Sequence, residues 1–294
     1  MVRTFAIVSV GIVAISFASI FIRFCNDVPS IMIATYRLTL SSVILLIIAK
    51  SKGIRILSYN RGHILMGMLG GLFLSLHFFF WISSLKLTSV ASSVVLVATN
   101  PIFVGIFSYL FFKEEQPTEL IIGIILSFLG SFILAVGDCS FQGLTVQNPS
   151  FLLGDAFAFL GAIMASGYLL VGSKLREEMD ILPYISMVYT FSAFFLLIAS
   201  FALGISFIGY KQSSYFYMIL LAIVPQLIGH TAFNWALRHL KASMVAITIL
   251  GEPIGASILA YFIFGETIQM CQSVGIILIF LAIIIASRKA KKYL

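Results

Sequence analysis

Charge is the scarcest commodity in this sequence. Only 10% of its 294 residues are Asp, Glu, Lys or Arg, whereas a soluble domain carries about 25% to cover its surface. With 61% hydrophobic residues and a mean hydropathy of +1.11, no folded form could present a wetted exterior, so the outer surface must face lipid. Cysteine is nearly absent: Cys25, Cys139 and Cys271 form neither a C-x-x-C pair nor a metal-ligand pattern and read as apolar fillers. A nucleotide loop is missing too, since Gly172-Ser173-Lys174 lacks the upstream glycine of a P-loop, so ATP is not expected to drive the process directly. Nor is there the sustained apolar/polar alternation that barrel strands require.

What the chain does have is long apolar runs: 4–24, 30–49, 62–85, 88–112, 119–137, 153–173, 183–208, 215–237, 241–264 and 270–287. Each is long enough to cross a hydrocarbon core of about 30 Å as a helix, and helix is required because lipid cannot satisfy free backbone groups. The first run stays uncharged from Thr4 to Ile22 with no A-x-A site after it, so it reads as an uncleaved span rather than a signal peptide. The expected fold is an all-α membrane protein of ten transmembrane helices. Residues 1–137 would form a first unit of five, 138–152 a polar linker, and 153–294 a second unit of five.

The net charge of +7 could suggest nucleic acid, but the cations sit in short clusters between apolar runs. With the N-terminus inside, fourteen of the eighteen Lys and Arg fall on the inner side and three on the outer, and Arg37 lies within a span. That bias places both termini in the cytoplasm. It makes Arg288, Lys289, Lys291 and Lys292 a topology anchor, and no nucleic-acid partner is expected. The compact chain and short loops suggest a bacterial inner membrane.

A shift of 152 residues lays the sequence on itself. Pro101 falls on Pro253, Tyr109 on Tyr261, Glu114 on Glu266 and Gly123 through Leu126 on Gly275 through Leu278, with twelve identities over the 29 positions from 101 to 129. Five spans per unit is an odd number, so the second unit enters the membrane from the opposite side. Inverted five-helix repeats of this kind are a recurrent plan of secondary transporters.

The repeat also points to a site. Asn100-Pro101 and Glu252-Pro253 occupy corresponding places near mid-span, and Pro inside a helix removes a hydrogen bond and disfavours helical geometry before it. Matching interrupted helices mark transport sites, so Pro101 and Pro253 are candidate helix breaks for gating. Glu252 is the foremost candidate: an intramembrane carboxylate faces a cavity or a partner, either to bind a cation or proton or to pin two helices as a paired or protonated group. Arg37 could snorkel outward, pair with Glu252 or hold an anionic group of a substrate. His77 and Trp81 stand one turn apart, and His230, Asn234 and Trp235 occur in the eighth span; such faces either line a cavity suited to aromatic or cationic solutes or simply pack. Tyr168 is a further, weaker cavity candidate. None of these has metal-ligand spacing, and neither a metal nor a cofactor is expected.

These residues resemble the EamA domain of the drug/metabolite transporter superfamily over nearly the whole chain. The first half carries Leu85-Lys86, Ala91, Asn100-Pro101, Phe103 and Tyr109 through Glu114. The second carries Phe233 through Leu237, Ala242-Ser243, Glu252-Pro253 and Phe264-Gly265-Glu266, and Arg37 resembles the family's second-span arginine. The resemblance implies a central cavity between the halves, alternating access and a small-molecule substrate such as an amino acid, another metabolite or a drug. Proton coupling is a further expectation, and enzymatic activity is not one. Asn100 stands where the second half has Glu252, so the halves need not contribute equally. The competing reading is a lipid flippase or scramblase acting on the bilayer itself.

Overall fold

The computed structural model describes residues 2–115, 117–138, 149–266 and 270–287. The middle of the expected linker, Cys139 and the C-terminal cations Arg288, Lys289, Lys291 and Lys292 lie outside the described residues. Among the described residues every regular element is helical: α1 (Val2–Ser16), α2 (Ala18–Phe24), α3 (Ser30–Ser51), α4 (Arg61–Ser84), α5 (Val90–Val97), α6 (Asn100–Phe112), α7 (Thr118–Asp138), α8 (Pro149–Glu178), α9 (Ile181–Ala202), α10 (Gln212–Leu221), a π-helical segment (Ala222–His230), α11 (Thr231–Ala236), α12 (Ala242–Ile249), α13 (Glu252–Phe264) and α14 (Met270–Ser287), with one short 3-10 turn (Ile56–Ser58).

Among the described residues eight segments are long and apolar enough to cross a membrane: Arg3–Phe24, Ser30–Ser51, Arg61–Ser84, Val90–Phe112, Ser150–Glu178, Ile181–Ala202, Gln212–Ala236 and Ala242–Phe264. α7 and α14 contain shorter described apolar stretches, Thr118–Gly130 and Ser273–Ala282. Polar residues set the ends. The Asn60 Oδ1 accepts the His63 N–H at 2.8 Å at the start of α4, and the Ser89 Oγ accepts the Ser92 N–H at 3.1 Å at the start of α5. Pro149 opens α8, where its missing N–H is no loss. That start lies four residues ahead of the expected 153.

Many of the helices turn apolar residues outward, among them Ile47, Leu65, Phe111, Phe201 and Phe262, as contact with lipid would require. α4 lies along α8 and α9, α3 along α9, α1 along the π segment, and α7 against α14. α4 meets α9 at Gly71, where an added Cβ would stand 2.7 Å from the Phe191 Cβ and 2.9 Å from the Ser192 backbone nitrogen. Such close approach is how helices associate where lipid is as apolar as leucine. Buried hydroxyls bond locally: Thr35 to the Ile31 carbonyl at 2.7 Å and Ser41 to the Arg37 carbonyl at 2.7 Å.

Gly71→Ala is therefore expected to destabilise the protein by about 1–3 kcal/mol through overpacking. Gly161→Ala, whose Cβ would meet its nearest neighbour at 3.5 Å, is expected to be close to neutral. Thermal unfolding midpoints of the two variants in one detergent check the pair.

Candidate functional site

The site grows from the two proline breaks. The Pro101 and Pro253 rings clash with a helical carbonyl four residues back. Four residues back stand Val97 and Ile249, where α5 and α12 end. The chain takes a tight turn at Ala98–Thr99 and again at Leu250–Gly251, and α6 and α13 then restart with Asn100 and Glu252 as their first residues. Both side chains thus sit at helix N-termini, where unpaired N–H groups favour polar and negative neighbours.

Between the halves lies a small cavity of about 40 Å³, walled by Ile15, Ala18, His77, Trp81, Val97, Asn100, Ala165, Tyr168, Leu169, His230, Phe233, Ile249 and Glu252. Six of the expected site residues line it: Glu252, Asn100, His77, Trp81, His230 and Tyr168. His77 and Trp81 stack at 5.9 Å and 12°, as their one-turn spacing on α4 allows. The Gly161 carbonyl accepts from His77 Nδ1 at 2.9 Å, so that nitrogen carries a proton. The Asn100 carbonyl accepts from Ser166 at 3.0 Å, while its Oδ1 is buried and unpartnered. Among the described residues the Glu252 carboxylate has neither a hydrogen bond nor an ion pair, and it is only half-buried because it opens on the cavity.

Three expected residues stand apart from the wall. Asn234 is one layer behind it: its Oδ1 accepts the Tyr168 hydroxyl at 2.7 Å and its Nδ2 donates to the Tyr189 hydroxyl at 3.1 Å. Trp235 is turned away and packs on His239 at 4.3 Å. Successive helical residues point 100° apart, so Asn234 facing inward leaves Trp235 facing elsewhere. Arg37 neither snorkels nor pairs with Glu252. It is 0% exposed, donates through Nε to the Gln226 Oε1 at 2.8 Å, and lies 4.0 Å above the Phe78 ring. Gln226, on the π-helical turn beside Pro225, is a residue that sequence reasoning missed, as it did Tyr189. An amide beside a proline within an apolar span was the available signal for Gln226.

Polar clusters close both ends. At one end Arg23 pairs with Glu266 at 3.6 Å and donates to the Thr88 carbonyl at 2.7 Å, and the Val90 N–H donates to Glu266 at 3.3 Å. Nearby, Asp27 accepts from the Lys211 N–H at 2.8 Å and the Ser214 hydroxyl at 2.5 Å. Slight burial opposes ionisation of Asp27, but these hydrogen bonds and the Lys211 charge prevail and hold its carboxyl below the usual carboxylate range. At the other end Lys174 pairs with Glu114 at 3.9 Å and Glu177 at 3.2 Å, and Arg238 pairs with Asp180 at 2.6 Å.

The EamA-like transporter family matches residues 4–136 and again 152–288. The chain belongs to that family. The two matches mean that the EamA domain occurs twice, each copy supplying one proline break and part of the cavity wall. An uncharacterized transporter of Clostridium kluyveri is 26% identical over 206 residues, 70% of this chain and 66% of that one. The uncharacterized transporter YyaM of Bacillus subtilis is 21% identical over 252 residues, 84% of this chain and 80% of that one. A crystal structure with 16% identity superposes with a TM-score of 0.76 over 100% of this chain and 99% of the other, a likeness of fold. Membership and the apolar helices make this an integral membrane protein of a transporter family, whose members act on small molecules.

The buried triad behind the cavity yields a stability prediction. Tyr168→Phe is expected to cost about 0.5–1.5 kcal/mol, and Asn234→Ala, which strips both tyrosine hydroxyls of their partner, about 1–3 kcal/mol. The double variant should cost less than the sum of the two, because they share one bond. A double-mutant cycle read by detergent-phase unfolding checks this, and strict additivity would refute it.

Proposed function

We propose that this protein is a secondary transporter, rather than an enzyme, which carries a small polar or amphipathic metabolite or drug across a bacterial inner membrane by alternating access. Ten spans would form two inverted five-helix repeats, 1–137 and 153–294, joined by the linker 138–152, with both termini cytoplasmic. The lining residues Glu252, Asn100, His77, Trp81, His230 and Tyr168 would meet the solute, and Glu252 would exchange the coupling proton.

One observation carries this reading: the two end clusters are equivalents of one another. Glu114 and Glu266 correspond at the shift of 152, and each follows a left-handed residue, Lys113 with φ 56° and Gly265 with φ 68°. The Glu114 N–H returns to the Ser108 carbonyl at 3.3 Å and the Glu266 N–H to the Ala260 carbonyl at 3.4 Å, the same helix ending twice. Their partners, Lys174 and Arg23, correspond within one residue of that shift. Each ion pair therefore ties the first span of one half to the fourth of the other. The 23-residue span Val90–Phe112 separates the two clusters, since Val90 touches Glu266 while Glu114 follows Phe112. Helix packing supports the same plan: α4 on α8 mirrors the π segment on α1, and α3 packs on α9 as α7 does on α14. Two equivalent latches give two states of similar energy, each with one latch open.

A cysteine at Ala18, with Cys25, Cys139 and Cys271 replaced by serine, would report cavity access to a membrane-impermeant maleimide. Glu266→Gln should raise labelling from outside, and Glu114→Gln should raise labelling from inside at the expense of outside. Shifts in the same direction, or none, would contradict alternating access. For coupling, Glu252→Gln should insert and fold but lose proton-driven transport, and persistent pH-dependent transport by that variant would remove Glu252 from the step.

A further inference from the structure

The Arg37 guanidinium is buried with most of its donors unanswered. It is fully buried, and its Nη1 and Nη2 have no hydrogen-bond partner. Its hydrogen-bond partner, Gln226, accepts from Nε at 2.8 Å and leaves its own Nε2 unpartnered. Trp81, whose ring centre lies 6.0 Å from the guanidinium carbon, leaves its indole Nε1 unpartnered and buried as well. All four of these orphaned atoms are donors. Buried donors are seldom left without an acceptor, and burying a cation is more costly still. Glu252, the acidic residue of the cavity wall, acts on Arg37 through its charge but makes neither an ion pair nor a hydrogen bond with it, so the donors themselves lack an acceptor.

Four unpartnered donors at and beside a cation describe a receptor for a group that only accepts. The two free guanidinium nitrogens form a fork that matches two oxygens of one carboxylate or phosphate. Trp81 belongs to the cavity wall and also flanks Arg37, so it joins the two spaces. Phe78, 4.0 Å from the guanidinium carbon and 5.2 Å from the wall residue His230, stands between them as a ring that must swing for direct contact. The site also sits on the π-helical turn Ala222–His230, a local irregularity frequent at functional sites.

We propose that the cargo carries an oxyanion, carboxylate or phosphate, which docks on Arg37 with Gln226 Nε2 and Trp81 Nε1 as supporting donors. This rests on the transport reading and narrows its substrate class to anions and zwitterions.

The chain has two tryptophans, and Trp235 packs away from the cavity, so the full-length Trp235→Phe protein reports from Trp81 alone. Its fluorescence would be quenched in turn with iodide, caesium and neutral acrylamide. Iodide should quench Trp81 more strongly than caesium does, and saturably. Arg37→Gln should lower the iodide constant several-fold while leaving that of acrylamide unchanged, and Arg37→Lys, which keeps the charge, should retain the preference. Sodium benzoate or phosphate should relieve iodide quenching where benzamide does not, and whichever of the two anions competes better identifies the oxyanion. Caesium quenching equal to that of iodide, or an iodide constant unchanged in Arg37→Gln with acrylamide access intact, would overturn the anion site and leave the transport reading standing. Failure of every quencher to reach Trp81 would overturn both.

Discussion

Hydrocarbon cannot hydrogen-bond a peptide group, and the arrangement of this chain follows from the places where it breaks its helices despite that. Pro101 and Pro253 interrupt two spans at mid-membrane, each ending a helix four residues upstream. A break there is tolerable only where the exposed backbone faces protein or a polar cavity. The two breaks are therefore turned inward, and α5 packs against α13 as α6 packs against α12. Cavity, helix N-termini and polar lining residues are consequences of one constraint applied twice.

The same constraint explains how polar side chains are distributed. Several buried serines and threonines, Thr35 and Ser41 among them, return their hydroxyls to a carbonyl within their own helix, so they cost little and permit close packing. Asn234 uses both ends of its amide to hold Tyr168 and Tyr189 together, tying α11 to α8 and α9. Several charged side chains are paired at the two ends, where water can share the cost. Arg37 and Glu252 differ from these. They lie within spans, make no ion pair with each other, and one opens on the cavity while the other hides behind its wall.

Much of the fold was legible in the sequence because lipid imposes a simple rule on length: each of the eight segments suited to crossing overlaps an apolar run. The two EamA matches likewise fall on the two halves that the repeat defined. The proline breaks were legible because a ring's clash with the fourth carbonyl back is local chemistry. Rotation about each helix axis was not. In a soluble helix a polar face declares which side is out, but here lipid-facing and core-facing positions are both apolar and hydropathy loses its angular content. Trp235 was grouped with Asn234 for that reason, and a single 100° step sends it to the other side. His77 and Trp81 were grouped correctly because four residues bring the helix back to the same face. The contact between Arg37 and Gln226 was invisible for another reason, since it joins residues 189 positions apart through a π-helical turn with no motif of its own.

The difference between the halves matters as much as their likeness. The helix endings at Lys113–Glu114 and Gly265–Glu266 are equivalent, and as the proposed latches they would leave a strictly symmetric protein with two states of equal energy and nothing to drive it between them. Asn100 opposite Glu252 breaks that balance at the cavity, because one side can change its charge and the other cannot. Arg37 has no charged equivalent in the second half, where position 189 at the same shift is Tyr189. On the proposed reading, backbone symmetry would furnish the two conformations and side-chain asymmetry would weight them, through a proton at Glu252 and an anion at Arg37.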